Sequence, residues 1–82
     1  METKQDIERR ELKKEILELR NENKEYEKKL IELLQQEQDA RDNDEKKDLN
    51  DVIKSYYESK SANNQQIGSI NLQILELIKN QG

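Results

Sequence analysis

The sequence contains no cysteine, no histidine and no proline, and it has only two glycines and three aromatic residues, all tyrosine. Without cysteine and histidine, the chain lacks disulfides, thiolate ligands, the commonest nitrogen metal ligand and the usual proton shuttle. Turn residues are also too few for a β-sandwich or barrel, which needs a turn about every ten residues. We therefore expect an all-α, non-enzymatic protein that holds no metal and no cofactor.

Long apolar runs are missing as well, because the longest is two residues. A membrane span needs about 20 apolar residues and a signal-peptide core about 7–15. The net charge is −4, and acidic and basic residues alternate along the chain, so no basic stripe for nucleic-acid phosphates is visible. The sequence predicts a soluble, acidic, cytoplasmic protein with neither a membrane nor a nucleic acid as partner.

What the chain does contain is typical of associating helices. Leucine, isoleucine and valine supply 19 of 82 residues, slightly above the share of roughly 20% below which a charged chain stays disordered. Alanine, glutamate, lysine, leucine and arginine supply 40 residues, close to the share of about one half that characterises coiled coils. Helices that pack on one another are the expected architecture.

The N-terminal half carries a heptad repeat, because apolar residues recur at alternating steps of four and three. With Ile16 at heptad position a, the predicted oligomerisation residues are Leu12, Ile16, Leu19, Asn23, Tyr26, Leu30 and Leu33. Isoleucine at a, leucine at d and a single asparagine at a favour a parallel dimer, in which two asparagines bond across the seam. The charge pairs Glu8 with Lys13 and Glu15 with Arg20 support that orientation, whereas Glu22 with Glu27 opposes it.

The apolar stripe widens near the end of this helix, where Ile31 and Leu34 flank the seam residues Leu30 and Leu33. A wider stripe predicts that a further helix covers Ile31 and Leu34. The alternative is that Leu34 shields the edge of the seam.

A second helix is predicted after a polar gap from Gln35 to Asp48. Asp42 followed by Glu45 resembles a capping box, which indicates that one helix ends and another starts at residues 40–44. A single uninterrupted helix is the alternative, since no glycine or proline breaks the chain here. Lysines 46 and 47 occupy positions that a calcium loop gives to a ligand and a glycine, so no calcium site is expected.

Apolar positions on the two sides of the gap mirror each other. Pairs whose residue numbers sum to 83 are Leu34 with Leu49, Ile31 with Val52, Leu30 with Ile53, Tyr26 with Tyr57, and Ile16 with Ile67. Such symmetry favours an antiparallel helical hairpin, and two hairpins pairing through their first helices would form a four-helix bundle. An extended parallel dimer remains the alternative architecture.

The composition changes again after Lys60. Residues 61–66 are polar and read as a linker or a frayed helix end, and an apolar pattern follows. Helix is favoured over strand for residues 67–80, although Ile70, Leu72 and Ile74 alternate with polar residues. The predicted partner-binding residues are Ile67, Ile70, Ile74, Leu77 and Ile78.

These patterns divide the chain into a heptad helix (1–41), a second amphipathic helix (42–60) and a polar linker with an apolar C-terminal helix (61–82). The predicted function is a coiled-coil scaffold or adaptor that forms homodimers or larger oligomers and presents its C-terminal segment to another protein. The alternative is a small helical-hairpin regulator that binds and inhibits an enzyme or transcription component. An enzymatic alternative is a small helical-hairpin phosphatase. One family of such phosphatases carries a Ser-Gln-Glu-Leu-Asp signature, which residues 46–50 of this chain match only at Leu49.

Overall fold

Two long helices make up the computed structural model, which describes residues 2–80. Helix α1 spans Lys4–Asp39 and helix α2 spans Asn43–Lys79, and no strand occurs among the described residues. Side-chain bonds between residues about 40 positions apart show that α2 runs back along α1. The molecule is therefore an antiparallel hairpin with dimensions of 62 × 18 × 12 Å, which confirms the all-α coiled-coil fold.

Helix α1 starts at a complete capping box. The hydroxyl of Thr3 accepts a hydrogen bond from the Asp6 backbone N–H at 3.1 Å, and the Thr3 backbone N–H donates to Asp6 Oδ2 at 3.2 Å. Arg9 binds the same carboxylate at 2.6 Å. The bond from the Thr3 backbone, followed by that from Arg9, lowers the pKa of Asp6, so the carboxylate stays charged beside the positive end of the helix.

The turn lies where the sequence predicts a helix end and restart. Ala40 leaves the helix with extended backbone, and its N–H donates to the carbonyls of Gln36 and Glu37. Asp42 then caps α2 by accepting a hydrogen bond from the Asp44 backbone N–H at 3.1 Å. Ala40 is buried, so the turn closes the end of the apolar seam.

The second half of the chain differs from its predicted division. Helix α2 continues without a break through residues 61–66, so the predicted linker is wrong and the second and third segments form one helix. The heptad spacing explains this continuity, because Lys60 and Asn63 occupy the seam positions between Tyr56 and Ile67. Residues 67–79 are helical rather than extended, and residues 81–82 of the predicted third segment lie outside the described residues.

The widened apolar stripe near the end of α1 is not covered within the hairpin. Helix α2 covers the seam but not its flank, so Ile31 is 66% exposed and Leu34 is 40% exposed. Helix α2 is therefore not the further helix that the wide stripe predicts, because the narrow seam of a two-helix coil uses only one or two positions per turn. These side chains remain on the outer surface of the hairpin.

Candidate interaction faces

The seven predicted oligomerisation residues all lie on the side of α1 that faces α2. Ile16, Asn23 and Leu30 are buried in the single chain, with exposures of 6, 8 and 4%. The other four, Leu12, Leu19, Tyr26 and Leu33, are half-buried. The expectation that a second copy must cover this seam is corrected by the fold, since the hairpin covers it within one chain.

The predicted partner-binding residues divide into two groups. Ile70 is buried at 4% exposure, and Ile67, Ile74 and Leu77 are half-buried along the same seam. Ile78 is 47% exposed and points away from it. The structure therefore brings four of the five residues to α1 and leaves only Ile78 on the outer surface.

A layer of three asparagines crosses the middle of the seam. The Asn23 side-chain amide donates to Asn64 Oδ1 at 3.0 Å, and the Asn63 amide donates to Asn23 Oδ1 at 3.0 Å. Both polar ends of the buried Asn23 side chain are thus paired, which avoids the cost of a buried unpaired amide. The sequence predicts amide bonding between Asn23 of two copies, whereas the structure pairs Asn23 within one chain. We call these three residues the asparagine layer.

Aromatic and charged groups flank this layer toward the turn. The rings of Tyr26 and Tyr56 lie 5.6 Å apart at 56°, whereas the mirror pattern pairs Tyr26 with Tyr57. Lys60 Nζ lies 3.2 Å from Glu27 Oε1 across the seam. The sequence places Tyr56 among the apolar positions of the second helix but not in the mirror pairs, and Lys60, Asn63 and Asn64 were missed. Continuing the heptad from Ile53 identifies Tyr56, Lys60 and Asn63.

The carboxylate of Glu22 collects hydrogen bonds at the edge of the layer. The Tyr26 hydroxyl donates to Glu22 Oε1 at 2.6 Å, and the Asn63 amide donates to it at 3.3 Å. The Tyr26 bond, followed by the Asn63 bond, lowers the pKa of Glu22. The same bond to Glu22 is the largest cause of the raised pKa of Tyr26. These polar groups link the helices and orient the tyrosine ring.

One side of the seam is acidic. Heptad position a of α1 includes Ile16 and Asn23, and the positions one residue before it and two residues after it lie on the same flank of the seam. From residue 8 to residue 25 every such position is a glutamate: Glu8, Glu11, Glu15, Glu18, Glu22 and Glu25. All but Glu25 line grooves with Gln66, Gln73, Glu76 and Asn80 of α2. We call this surface the acidic face.

The other side of the seam is basic and apolar. The positions one residue and four residues after heptad position a lie on the opposite flank of the seam. In α1 they are Arg10, Lys13, Leu17, Arg20, Lys24, Glu27, Ile31 and Leu34. The equivalent α2 positions include Lys47, Lys54, Tyr57, Asn64, Gly68, Asn71, Leu75 and Ile78. A groove lined by Lys13, Leu17, Arg20 and Asn71 shows that the two flanks adjoin. We call this surface the basic face.

Charges that alternate along the sequence are therefore sorted in space. The parallel pairs Glu8–Lys13 and Glu15–Arg20 are wrong for this fold, because the acidic and basic members lie on opposite faces of an antiparallel pair. Of the nine large apolar side chains that are exposed among residues 2–80, six belong to the basic face: Leu17, Ile31, Leu34, Tyr57, Leu75 and Ile78. This face combines apolar contact area with positive charge.

Among the described residues, no group of three metal-ligating side chains is arranged to hold a metal ion. Over that same part of the chain, neither helix has an apolar stretch long enough to cross a bilayer. Comparisons with protein-family models, with curated proteins and with solved structures find no match to the chain.

The asparagine layer makes a prediction for stability. Asn23→Ala leaves Asn63 and Asn64 without their partner, so we expect the free energy of unfolding to fall by about 1–2 kcal/mol. Adding Asn63→Ala should cost less than the sum of the single changes, because the two residues share a bond. Urea unfolding followed by far-UV circular dichroism measures both effects.

Asn21→Ala is the matched control, since Asn21 is exposed on the outer side of α1. We expect its stability to change by no more than about 0.5 kcal/mol, with alanine slightly favoured by helix propensity. Equal stability of the Asn21 and Asn23 variants would contradict a structural role for the layer.

The Tyr26–Glu22 hydrogen bond makes a prediction for pH dependence. Because the folded-state pKa of Glu22 is below its ordinary value of 4.5, the bond stabilises the fold above pH 4.5 and loses its effect as the pH falls through the lower folded value. The raised pKa of Tyr26 gives the opposite pH dependence. Its contribution to stability is present below pH 10.0, the ordinary pKa of tyrosine, and is lost as the pH rises through the higher folded value.

Tyr26→Phe removes the largest cause of the Glu22 shift, so urea midpoints should fall less on acidification from about pH 6 to about pH 3.5 than in the wild type. Tyr57→Phe, which alters a half-exposed tyrosine on the basic face, should keep the wild-type difference. An identical acid response in the wild type and the Tyr26 variant would refute the assignment.

Proposed function

We propose that the protein is a non-enzymatic, cytoplasmic helical-hairpin scaffold or adaptor that self-associates through its basic face. The observation that carries the proposal is the concentration of exposed apolar side chains on this face. Leu17 is 58% exposed, Ile31 is 66% exposed and Leu75 is 54% exposed. Large apolar side chains that are exposed together on one face, between charged ones, are typical of protein-interaction sites.

The surface area of the hairpin supports association. The accessible area is 6613 Å², whereas a compact monomer of 9.8 kDa exposes about 5,200 Å². The excess of about 1,400 Å² exceeds the roughly 800 Å² that each partner buries in a standard interface. No described side chain is fully buried in the hairpin, so covering the basic face adds apolar burial that two helices alone do not supply.

The polar groups of the seam support a structural role rather than catalysis. The asparagine amides bond to one another, and the Tyr26 hydroxyl and Glu22 carboxylate bond to each other. General acid–base catalysis needs a proton donor or acceptor held beside a substrate pocket. These groups instead hold the helices in register.

Docking of another protein is proposed for the outward side of the C-terminal segment. Ile78 and the neighbouring Leu75 are exposed on the basic face, whereas Ile67, Ile70 and Ile74 face α1. A partner therefore meets Leu75 and Ile78 without opening the hairpin.

The regulator hypothesis is favoured by a different surface. A groove of the acidic face near the open end of the hairpin has Leu12 and Leu77 between carboxylates that include Glu8, Glu15 and Glu76. Apolar floor and acidic rim suit a basic amphipathic helix of an enzyme or transcription component. This second candidate uses the face that self-association leaves free.

The test of self-association is sedimentation equilibrium of the wild type, Ile31→Glu and Leu72→Glu. Leu72 is the matched control because it is 64% exposed but lies on the side of α2 opposite the seam. We expect a wild-type mass of at least twice 9.8 kDa, unchanged in Leu72→Glu. Loss of buried isoleucine at two symmetric sites should weaken the Ile31→Glu dimer by about 100-fold or more.

Circular dichroism of each variant confirms that the helices are retained. A wild-type mass of 9.8 kDa at high protein concentration, or an equal effect of the two substitutions, would overturn the proposal.

A further inference from the structure

The apolar residues of the basic face are arranged symmetrically about its midpoint. In α1, Leu17 and Ile31 each lie seven residues from Lys24, or about 10 Å along the helix. We propose, on the basis of the self-association above, that two hairpins pack basic face to basic face in an antiparallel four-helix bundle. Its twofold axis passes at the level of Lys24 and the asparagine layer, perpendicular to the helices, so that each helix lies over its own copy.

This axis brings unlike residues of α1 into matching positions. Leu17 meets Ile31 of the second copy, and Arg20 lies level with Glu27 of the second copy, because both pairs are centred on residues 23–24. The first contact covers two of the most exposed apolar side chains of the hairpin, which are 58 and 66% exposed. The second places opposite charges together.

Residues of helix α2 independently place the twofold axis at the same level along the hairpin. Tyr57 and Gly68 lie on the basic face and are centred between residues 62 and 63. A side chain at Gly68 would meet no atom within 4 Å, so this position leaves open space on the surface, and the half-exposed Tyr57 ring of the second copy fills it. The asparagine layer holds residue 63 level with residue 23. The centres found on the two helices therefore coincide along the hairpin.

The charges of the face fit this arrangement. Glu27 is the one acidic residue among the α1 flank positions from Arg10 to Leu34. In the bundle its carboxylate lies between Arg20 and Lys24 of the second copy, which offsets the approach of the two Lys24 side chains at the axis. Toward the ends, Lys13 lies level with Leu34 of the second copy, so like charges do not face each other there.

Stacking of an acidic face on a basic face is the competing arrangement. It complements charge, but it sets Leu17 and Ile31 against a row of carboxylates and gives a head-to-tail contact that repeats without closing. The antiparallel bundle instead pairs apolar with apolar residues and closes as a dimer.

Cysteine cross-linking tests the arrangement, because the natural chain contains no cysteine. Leu17→Cys and Ile31→Cys proteins are prepared separately, oxidised alone and then oxidised as an equimolar mixture. Each variant carries one cysteine, so no intrachain disulfide can form. In the bundle the same position of the two copies lies about 21 Å apart, and a disulfide needs Cα atoms within about 7 Å, so like-with-like links are not expected. We expect a disulfide-linked heterodimer as the major product of the mixture only.

Leu72→Cys mixed with Ile31→Cys is the control and should remain largely unlinked. Preferential linking of Leu17→Cys to Val52→Cys, which lies on the acidic-face side of α2, would overturn the proposal in favour of stacking. A dimer mass without the 17–31 link would overturn this arrangement alone, whereas a monomer mass would overturn both it and the proposed function.

Discussion

The buried amide of Asn23 constrains how the two helices pair. An amide in an apolar seam must find hydrogen-bonding partners, and the cost of leaving it unpaired is comparable to that of a lost hydrogen bond. Asn63 and Asn64 supply those partners from α2. A shift of one heptad would set Asn23 against an apolar residue of α2, so the layer fixes the register of the hairpin more than it strengthens it. The tyrosine pair and the Lys60–Glu27 bridge fit only this register.

Register in turn determines which surfaces the hairpin presents. Once α2 covers the seam of α1, the flanking positions become the two broad faces, and the alternation of charge along the chain becomes a separation of charge in space. The acidic face carries little exposed apolar area beyond Val52, whereas the basic face carries most of it. The proposed self-association and the proposed docking at Leu75 and Ile78 therefore share the basic face, whereas the proposed regulator contact uses the acidic face.

Much of the fold follows from local rules that act on the sequence. The heptad from Leu12 to Leu33 identifies the buried stripe of α1, and Asp42 marks the start of α2, because spacing and capping depend on neighbouring residues. Whether the partner helix runs parallel or antiparallel depends on which apolar stripe packs against the stripe of α1. A heptad with one asparagine is compatible both with a parallel dimer and with one arm of a hairpin. The mirror pattern favours the hairpin but pairs Tyr26 with the wrong tyrosine.

The candidate faces were harder to predict than the helices. Residues 61–66 have low helix propensity, so local composition suggests a linker, whereas the paired amides of the layer keep this segment helical. Leu17 lies one place after Ile16 and belongs to no seam, so a search for seam residues passes over it. Sorting residues by flank for an antiparallel partner would have separated the acidic and basic faces from sequence alone.

The central claim is that the chain folds back on itself with residues 23 and 63 side by side. Spin labels on Asn21→Cys and Gln65→Cys, both on the outer sides of the helices, measure this directly by pulsed electron resonance. Dilution of the labelled protein with unlabelled protein restricts the signal to distances within one chain. The hairpin predicts a distance below about 30 Å, since packed helix axes lie about 8–10 Å apart. A distance near 66 Å, which a continuous helix gives at about 1.5 Å per residue, would contradict it.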